Sequence, residues 1–148
     1  MLSPENRAVI AAAGSRKTQF IIDEALAAPP GRRILITTYT RENCDQISRR
    51  LQQANGCVPP NVQVLSWFAF LMNQAARPYQ SAITGQIDFA RSLNFKGSRN
   101  RFASRRQPLG YYFDSNADFY RDGLADFAVA ADKATRGRVI RRLAGLFD

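Results

Sequence analysis

Apolar and polar positions change period several times along the first third of the chain. Residues 8–12 (AVIAA) form an apolar run that predicts a short buried strand. From residue 17 to residue 28, apolar side chains recur near helical spacing, and residues 29–31 (PPG) end that predicted helix. Residues 34–39 (ILITTY) are β-branched and apolar, which predicts a second strand. The pattern therefore predicts a strand, a helix and a strand in succession.

The same alternation continues as far as residue 75. Thr40 is a typical cap for a predicted helix over residues 41–54, and residues 55–56 (NG) are a typical C-terminal stop. Residues 62–65 (VQVL) predict a third strand, and residues 67–75 predict an apolar helix. Strands and helices in alternation predict an α/β fold with a mainly parallel sheet and helices on both faces.

The second half of the chain loses this regularity. Residues 77–112 show poor periodicity, and helices are predicted again only over residues 124–134 and 138–147. Between Phe89 and Phe113 there are six basic residues and no acidic one. Aromatic rings among cations suit single-stranded nucleic acid, but a solvated loop whose aromatic side chains pack on the core fits the same residues, and both interpretations stay open. The residues concerned are Arg91, Lys96, Arg99, Arg101, Arg105, Arg106, Phe95, Phe102, Tyr111 and Tyr112.

Composition and charge limit the class of protein. The 148 residues are enough for about one domain, and 45% of them are hydrophobic, as in globular proteins. The formal net charge of +9 favours a polyanionic partner, nucleic acid first. A small protein with a solvated basic surface accounts for the same charge, so the charge alone does not identify the partner.

Cysteine and histidine usage narrows the chemistry further. Cys44 and Cys57 do not form a CxxC pair, and we expect both to be reduced thiols in a cytoplasmic protein. The chain contains no histidine, which disfavours a zinc site and a Ser-His-Asp hydrolase. No apolar stretch approaches the ~20 residues of a membrane-spanning helix, so we expect no membrane partner.

Residues 11–18 (AAAGSRKT) lie between the first predicted strand and the first predicted helix. This arrangement is typical of a phosphate-binding loop, in which backbone N–H groups face the phosphates of a nucleoside triphosphate at a helix N-terminus. Lys17 would reach the β- and γ-phosphates and Thr18 would hold Mg²⁺, while Gly14 and Ser15 supply part of the loop. An ordinary helix start rich in Ser, Lys and Thr is the alternative interpretation.

Arg16 departs from the general pattern of such loops, which has glycine before the lysine. Glycine suits that position because the backbone comes close to phosphate and adopts positive φ readily. Arg16 could add a cation to the triphosphate or fill the space that the phosphates need. We favour weakened nucleotide binding on steric grounds.

Four stretches of the chain carry a family resemblance through their order and spacing. They are residues 2–9 (LSPENRAV), 12–18 (AAGSRKT), 34–43 (ILITTYTREN) and 64–71 (VLSWFAFL). Together they resemble the N-terminal ATP-binding region of UvrD/Rep-like DNA helicases of superfamily one. Residues 138–143 (RVIRRL) are similar to the helix that precedes the Asp-Glu box of that family.

The resemblance implies ATP and Mg²⁺ as ligands and single-stranded DNA as a partner. The family's adenine-reading glutamine corresponds to Asn6, which carries the same amide on a shorter stem. The residues implied to bind ATP are Asn6, Ala13, Gly14, Ser15, Arg16, Lys17 and Thr18, with Thr18 also on the metal. Those implied to bind DNA are Thr38, Tyr39, Thr40 and Trp67, joined by Arg99 and Arg101 of the basic run.

The resemblance also implies a domain plan: an incomplete RecA-like core over residues 1–76, a basic and aromatic insert over 77–135, and a helix returning to the core over 136–148. The family's Asp-Glu box does not occur in the sequence. That box and an arginine from a second motor domain stabilise phosphoryl transfer. We therefore expect a truncated helicase fragment that binds ATP–Mg²⁺ and single-stranded DNA without hydrolysis or unwinding on its own, with the missing remainder of the helicase as a further partner.

Other function classes remain open. A non-enzymatic nucleic-acid-binding protein would use the basic insert and carry a decayed loop. A small P-loop kinase or ATPase would need an acidic Mg²⁺ ligand at the end of a strand, and no predicted strand ends in one. An inactive fragment is the third alternative.

Overall fold

The protein is an α/β chain in two compact units. The computed structural model describes residues 8–10, 12, 14–99 and 102–148. About half of it is helical, and the strands form two parallel sheets of two strands each. One unit comprises Met1–Ser66 with Leu146–Asp148, and the other comprises Trp67–Gly145. The predicted α/β class is confirmed.

The first unit contains the alternating elements that the sequence predicts. They are α1 (Lys17–Ala27), β1 (Ile34–Thr38), α2 (Arg41–Asn55) and β2 (Val62–Ser66). Strands β1 and β2 pair in parallel, with Ile34 opposite Val62 and Thr38 opposite Ser66. Parallel pairing requires a crossover, and α2 supplies it. The core between helices and sheet is built from Ile22, Ala25, Ile36, Ile47, Leu51 and Val62.

Helix α2 begins and ends where its sequence predicts. The Thr40 hydroxyl accepts a hydrogen bond from the backbone N–H of Asn43 at 3.2 Å, which satisfies a donor of the first turn. At the other end Gly56 adopts φ +79° and donates its N–H to the Gln52 carbonyl at 2.8 Å. Glycine reaches this left-handed conformation without steric cost, so it ends the helix there.

The strand predicted over residues 8–12 is wrong for the residues that the structure describes. Residues 8–10 and 12 form no strand, and Val9 and Ile10 are exposed. An apolar run predicts burial, but it does not identify a neighbouring strand. A strand forms only where its backbone hydrogen-bonds to such a neighbour and one of its faces is buried. The α/β class stands, and the RecA-like core remains a proposal.

The second unit is built from short elements around an aromatic core. Phe127 is fully buried, and its ring lies edge-on to Tyr112 at 5.1 Å and to Phe119 at 4.8 Å between centroids. Edge-to-face rings of this kind stabilise a core beyond their buried area. The elements are α3 (Trp67–Phe70), a π-helical segment (Leu71–Ala76), a 3-10 turn (Arg77–Tyr79), α4 (Ser81–Thr84), β3 (Leu93–Asn94), α5 (Pro108–Tyr112), β4 (Phe119–Tyr120), a 3-10 turn (Arg121–Gly123), α6 (Leu124–Ala134) and α7 (Arg138–Ala144).

The division between the units differs from the domain plan of the sequence analysis. It falls after Ser66 rather than after residue 76, because Phe68 and Phe70 pack against the aromatic core of the second unit. Helix α7 also belongs to that unit, since Val139 is buried in the same core. Only Leu146–Asp148 return to the first unit.

Candidate functional site

The loop before α1 has a backbone that alternates in handedness. Gly14 has φ +79° and Arg16 has φ +59° and ψ 28°, both left-handed, whereas Ser15 between them does not have positive φ. In proteins generally, alternation of this kind turns successive backbone N–H groups toward one side and forms a concavity that can bind an anion. A Cβ added at Gly14 would meet nothing within 4 Å, so the space beside the loop is open.

One carbonyl oxygen closes this loop. The Ala12 oxygen accepts hydrogen bonds from the Ser15 N–H at 3.3 Å and the Ser15 hydroxyl at 2.7 Å. It also accepts one from Lys17 Nζ at 2.6 Å. The ammonium group of Lys17 is therefore held across the loop, where it adds positive charge to the same concavity.

Helix α1 places its first turn directly after the concavity. The helical ladder begins with the Phe20 N–H donating to the Arg16 carbonyl at 3.0 Å. The N–H groups that precede Phe20 in the first turn lie outside that ladder, and the helix dipole adds partial positive charge there. Thr18 is half-buried in this turn, and residues 14–17 are exposed. The arrangement can bind an anion with several phosphate oxygens.

The three predicted DNA contacts at the end of β1 divide into two groups. The Thr38 hydroxyl accepts a hydrogen bond from the Asn43 side chain at 3.4 Å, and Thr40 caps α2. Both hydroxyls therefore help to start α2. Tyr39 is 64% exposed, so its ring is accessible to a ligand.

Trp67, the other aromatic DNA candidate, lies in the second unit. Its ring is 43% exposed and packs against Phe70 with centroids 5.8 Å apart. One part of the indole packs within the protein and the other part is accessible to solvent. This position is compatible with packing in the core and with stacking against a base.

The predicted DNA contact Arg99 is bound within the protein. Its guanidinium lies 4.4 Å from the centroid of the Tyr111 ring, and Nη1 lies 3.3 Å from Asp126 Oδ2. Arg105 pairs with the same Asp126 oxygen at 3.3 Å and also donates to the Tyr111 hydroxyl at 3.0 Å. That hydrogen bond, more than the nearby Asp126, raises the pKa of Arg105. Two arginines therefore share one carboxylate instead of facing solvent alone.

Most aromatic side chains of the basic run pack in the core. Tyr111, Tyr112 and Phe113 are buried, and Phe89 lies edge-on to Phe113 with centroids 4.9 Å apart. Of the two interpretations left open, core packing describes these residues. Phe95 is 58% exposed and Phe102 is 93% exposed, so only these two rings of the run remain largely accessible in the part that the structure describes.

Three predicted site residues, Asn6, Ala13 and Arg101, lie outside the described residues. Within the described ranges no group of three or more metal-ligating side chains comes together, and no helix there is long and apolar enough to cross a membrane. Cys44 and Cys57 are free thiols, and partial burial raises the pKa of Cys44.

Sequence reasoning missed two parts of these sites. The role of Asp126 as the shared partner of Arg99 and Arg105 has no short-range signal, since the carboxylate lies more than twenty residues from either arginine in the chain. The Ala12 carbonyl is a backbone group, which every residue has. The sequence therefore cannot show that this carbonyl accepts three hydrogen bonds. Only the loop pattern itself indicated that this segment turns back on itself.

Comparison of the chain with protein-family models, curated proteins and solved structures found no match. The helicase resemblance therefore depends on the four stretches of sequence alone.

Proposed function

We propose that the loop before α1 binds the triphosphate of ATP, and that the chain is the ATP-binding part of a UvrD-like helicase. The observation that carries the proposal is the left-handed backbone at both Gly14 and Arg16, directly before Lys17 and an 11-residue helix. Such a backbone is strained for arginine, by about 1–2 kcal/mol, and strained positions concentrate at ligand sites.

Each loop residue has a distinct role in this proposal. The backbone N–H groups of Gly14 and Arg16 would face the phosphates, and the Ser15 N–H would exchange its bond to the Ala12 carbonyl for a phosphate oxygen, with Ala13 completing the loop. Lys17 exchanges its bond to the Ala12 carbonyl for the β- and γ-phosphates. The Thr18 hydroxyl joins phosphate oxygens and water around Mg²⁺, an ion that accepts few protein ligands beside substrate phosphates. Asn6 would face adenine.

Two features support a RecA-like arrangement around the loop. Strands β1 and β2 are parallel and joined through α2, as in α/β nucleotide-binding folds. The Asp148 N–H donates to the Arg33 carbonyl at 2.9 Å, and Asp148 Oδ2 accepts the Arg33 N–H at 2.7 Å. These contacts set Asp148 beside the start of β1.

Single-stranded DNA is the partner that fits the remaining exposed groups. Tyr39 and Trp67 each present an accessible ring, and base stacking on such rings tolerates any sequence. No Asp-Glu pair follows a strand in the described chain, so we propose nucleotide binding without hydrolysis or unwinding by the chain alone. In this proposal the second motor domain of such a helicase would be a protein partner.

A non-enzymatic nucleic-acid-binding protein is the second candidate. Arginine in place of the usual glycine favours it, because the Arg16 side chain can fill space that the phosphates need. In that case the net charge of +9 alone would account for DNA binding.

Calorimetric titration with ATP–Mg²⁺ and with AMP separates the two candidates. The proposed grip is on the β- and γ-phosphates, so ATP should bind and AMP should not. Equal binding of both nucleotides, or of neither, would reject the triphosphate site and leave the second candidate.

A further inference from the structure

The C-terminal part of the second unit carries a concentrated positive surface outside the run first considered for DNA. From residue 133 to residue 147 there are five basic residues and no acidic residue. Four of them are exposed, and we call these four the basic corner: Lys133, Arg136, Arg138 and Arg141.

The cations of the basic corner differ from Arg99 and Arg105 in having no carboxylate partner among the described residues. Arg99 and Arg105 both lie 3.3 Å from Asp126 Oδ2, which compensates part of their charge. None of the four corner side chains forms an ion pair within the part of the chain that the structure describes. The nearby Asp132 carboxylate accepts the backbone N–H of Ile140 at 3.0 Å.

The backbone that carries the basic corner is held in place. Arg136 has φ +54° and Gly137 has φ +80°, so the chain turns sharply between α6 and α7. The Tyr79 hydroxyl donates to the Arg138 carbonyl at 3.2 Å, and Arg142 donates to the backbone and side-chain oxygens of Gln74 at 2.8 and 3.0 Å. These contacts fix α7 on the rest of the unit and leave the corner side chains outward.

A hydrogen bond joins two residues of the basic corner. Arg141 Nη2 donates to the Arg136 carbonyl at 3.0 Å, which sets the Arg141 head group against the residue that carries the next cation. Arg138 lies one helical turn before Arg141 on the same face of α7. Ile140, 63% exposed, lies beside them. Guanidinium groups, which three of the four corner side chains carry, match phosphate oxygens better than lysine ammonium groups do.

We infer that the basic corner binds the phosphate backbone of single-stranded nucleic acid without sequence preference. The choice of nucleic acid rests on the proposed function, whereas the surface itself does not depend on the nucleotide loop. A membrane surface is the less favoured partner, because α7 has only seven residues and offers one exposed aliphatic side chain in its first turn.

The test is salt-dependent binding of labelled oligodeoxythymidylate, followed by fluorescence anisotropy. The corner variant carries Arg136→Gln, Arg138→Gln and Arg141→Gln. The matched control carries Arg32→Gln, Arg49→Gln and Arg121→Gln, which remove the same charge from exposed positions outside the basic corner and the basic run. Three lost phosphate contacts should reduce the slope of log K against log salt by about 2 in the corner variant, and by much less in the control.

A charge-conserving variant guards against misfolding. Lysine at all three corner positions should retain the salt slope, and circular dichroism should match the wild type for every variant. Equal slope changes in the corner variant and the control would overturn the inference, as would absence of oligonucleotide binding by the wild type or binding only to phosphatidylserine vesicles. ATP titration of the corner variant separates the proposal on the basic corner from the proposal on the nucleotide loop. A variant that loses DNA binding and keeps ATP binding shows that the two sites act independently.

Discussion

Lys17 Nζ donates a hydrogen bond to the Ala12 carbonyl oxygen at 2.6 Å, across the loop that precedes α1. The side chain that would grip a triphosphate therefore also closes the loop that would surround it. Because a charged donor is involved, this bond is stronger than an ordinary one. A hydrogen bond from Lys17 to phosphate must be at least as favourable as the one that it replaces, to the Ala12 carbonyl. Nucleotide binding and loop closure therefore depend on the same ammonium group.

Arg16→Gly should tighten ATP binding. Arginine at φ +59° is strained, whereas glycine adopts this backbone without strain and leaves more room for phosphate. Arg16→Ala is the informative control, since it removes the cation and the long side chain but keeps Cβ. Isothermal titration calorimetry of the three proteins measures the effect. Weaker binding by both variants would show instead that the Arg16 guanidinium contacts the nucleotide.

Asp126→Asn should destabilise the second unit by up to about 1 kcal/mol, the range for partly exposed ion pairs. Its carboxylate pairs with Arg99, whose side chain is 22% exposed, and with the more exposed Arg105. It also lies in the first turn of α6, where negative charge is favourable. Urea denaturation measures the change, with the exposed Asp122→Asn as control. Equal effects of the two substitutions would contradict the assignment of Asp126 as a shared partner.

Asp114→Asn should alter how stability depends on pH. Hydrogen bonds from the backbone N–H of Asp118, from the Asn94 side chain and from the Asn116 N–H lower the pKa of the Asp114 carboxyl below its ordinary value. A carboxyl with a lowered pKa in the folded state stabilises the protein above its unfolded pKa, about 3.9. That stability is lost as pH falls through the folded pKa.

Thermal unfolding at neutral pH and near pH 3 checks this prediction. The wild type should unfold at higher temperature than Asp114→Asn at neutral pH, and the difference should shrink in acid as the wild-type carboxyl is protonated. The exposed Asp88→Asn should show no such pattern. A difference that is the same at both pH values would contradict the role of the Asp114 carboxylate.

The sequence predicted the first unit well where adjacent residues determine an element, as they do in α2. The cap at Thr40 and the stop at Gly56 fixed both ends of α2, because both act through the backbone of adjacent residues. The predicted strand over residues 8–12 was wrong for the described residues of that range. A strand must pair with a second segment that is distant in the sequence, and an apolar run does not specify that segment. The residue pattern predicted a phosphate-binding loop before α1, which stays a prediction, and it did not predict the closure of that loop on the Ala12 carbonyl.

The second unit was less predictable for a physical reason. Its aromatic residues are buried through contacts between distant segments, such as Phe119 with Phe127 and Phe89 with Phe113. Such contacts do not produce a helical or a strand period of apolar residues in the sequence. The basic run could therefore be interpreted either as a surface that stacks on bases or as a loop packed on the core. The buried rings and the Arg99–Asp126 pair favour a covered loop for much of it.

Titration of ATP–Mg²⁺ against the wild type and Lys17→Ala tests the central claim most directly. Lys96→Ala is the matched control, because it removes one exposed lysine from the other unit. A lost charge-assisted hydrogen bond should weaken ATP binding at least about tenfold in Lys17→Ala and leave Lys96→Ala like the wild type. Equal ATP affinity in all three proteins, or no binding by the wild type, would show that this loop does not hold a triphosphate.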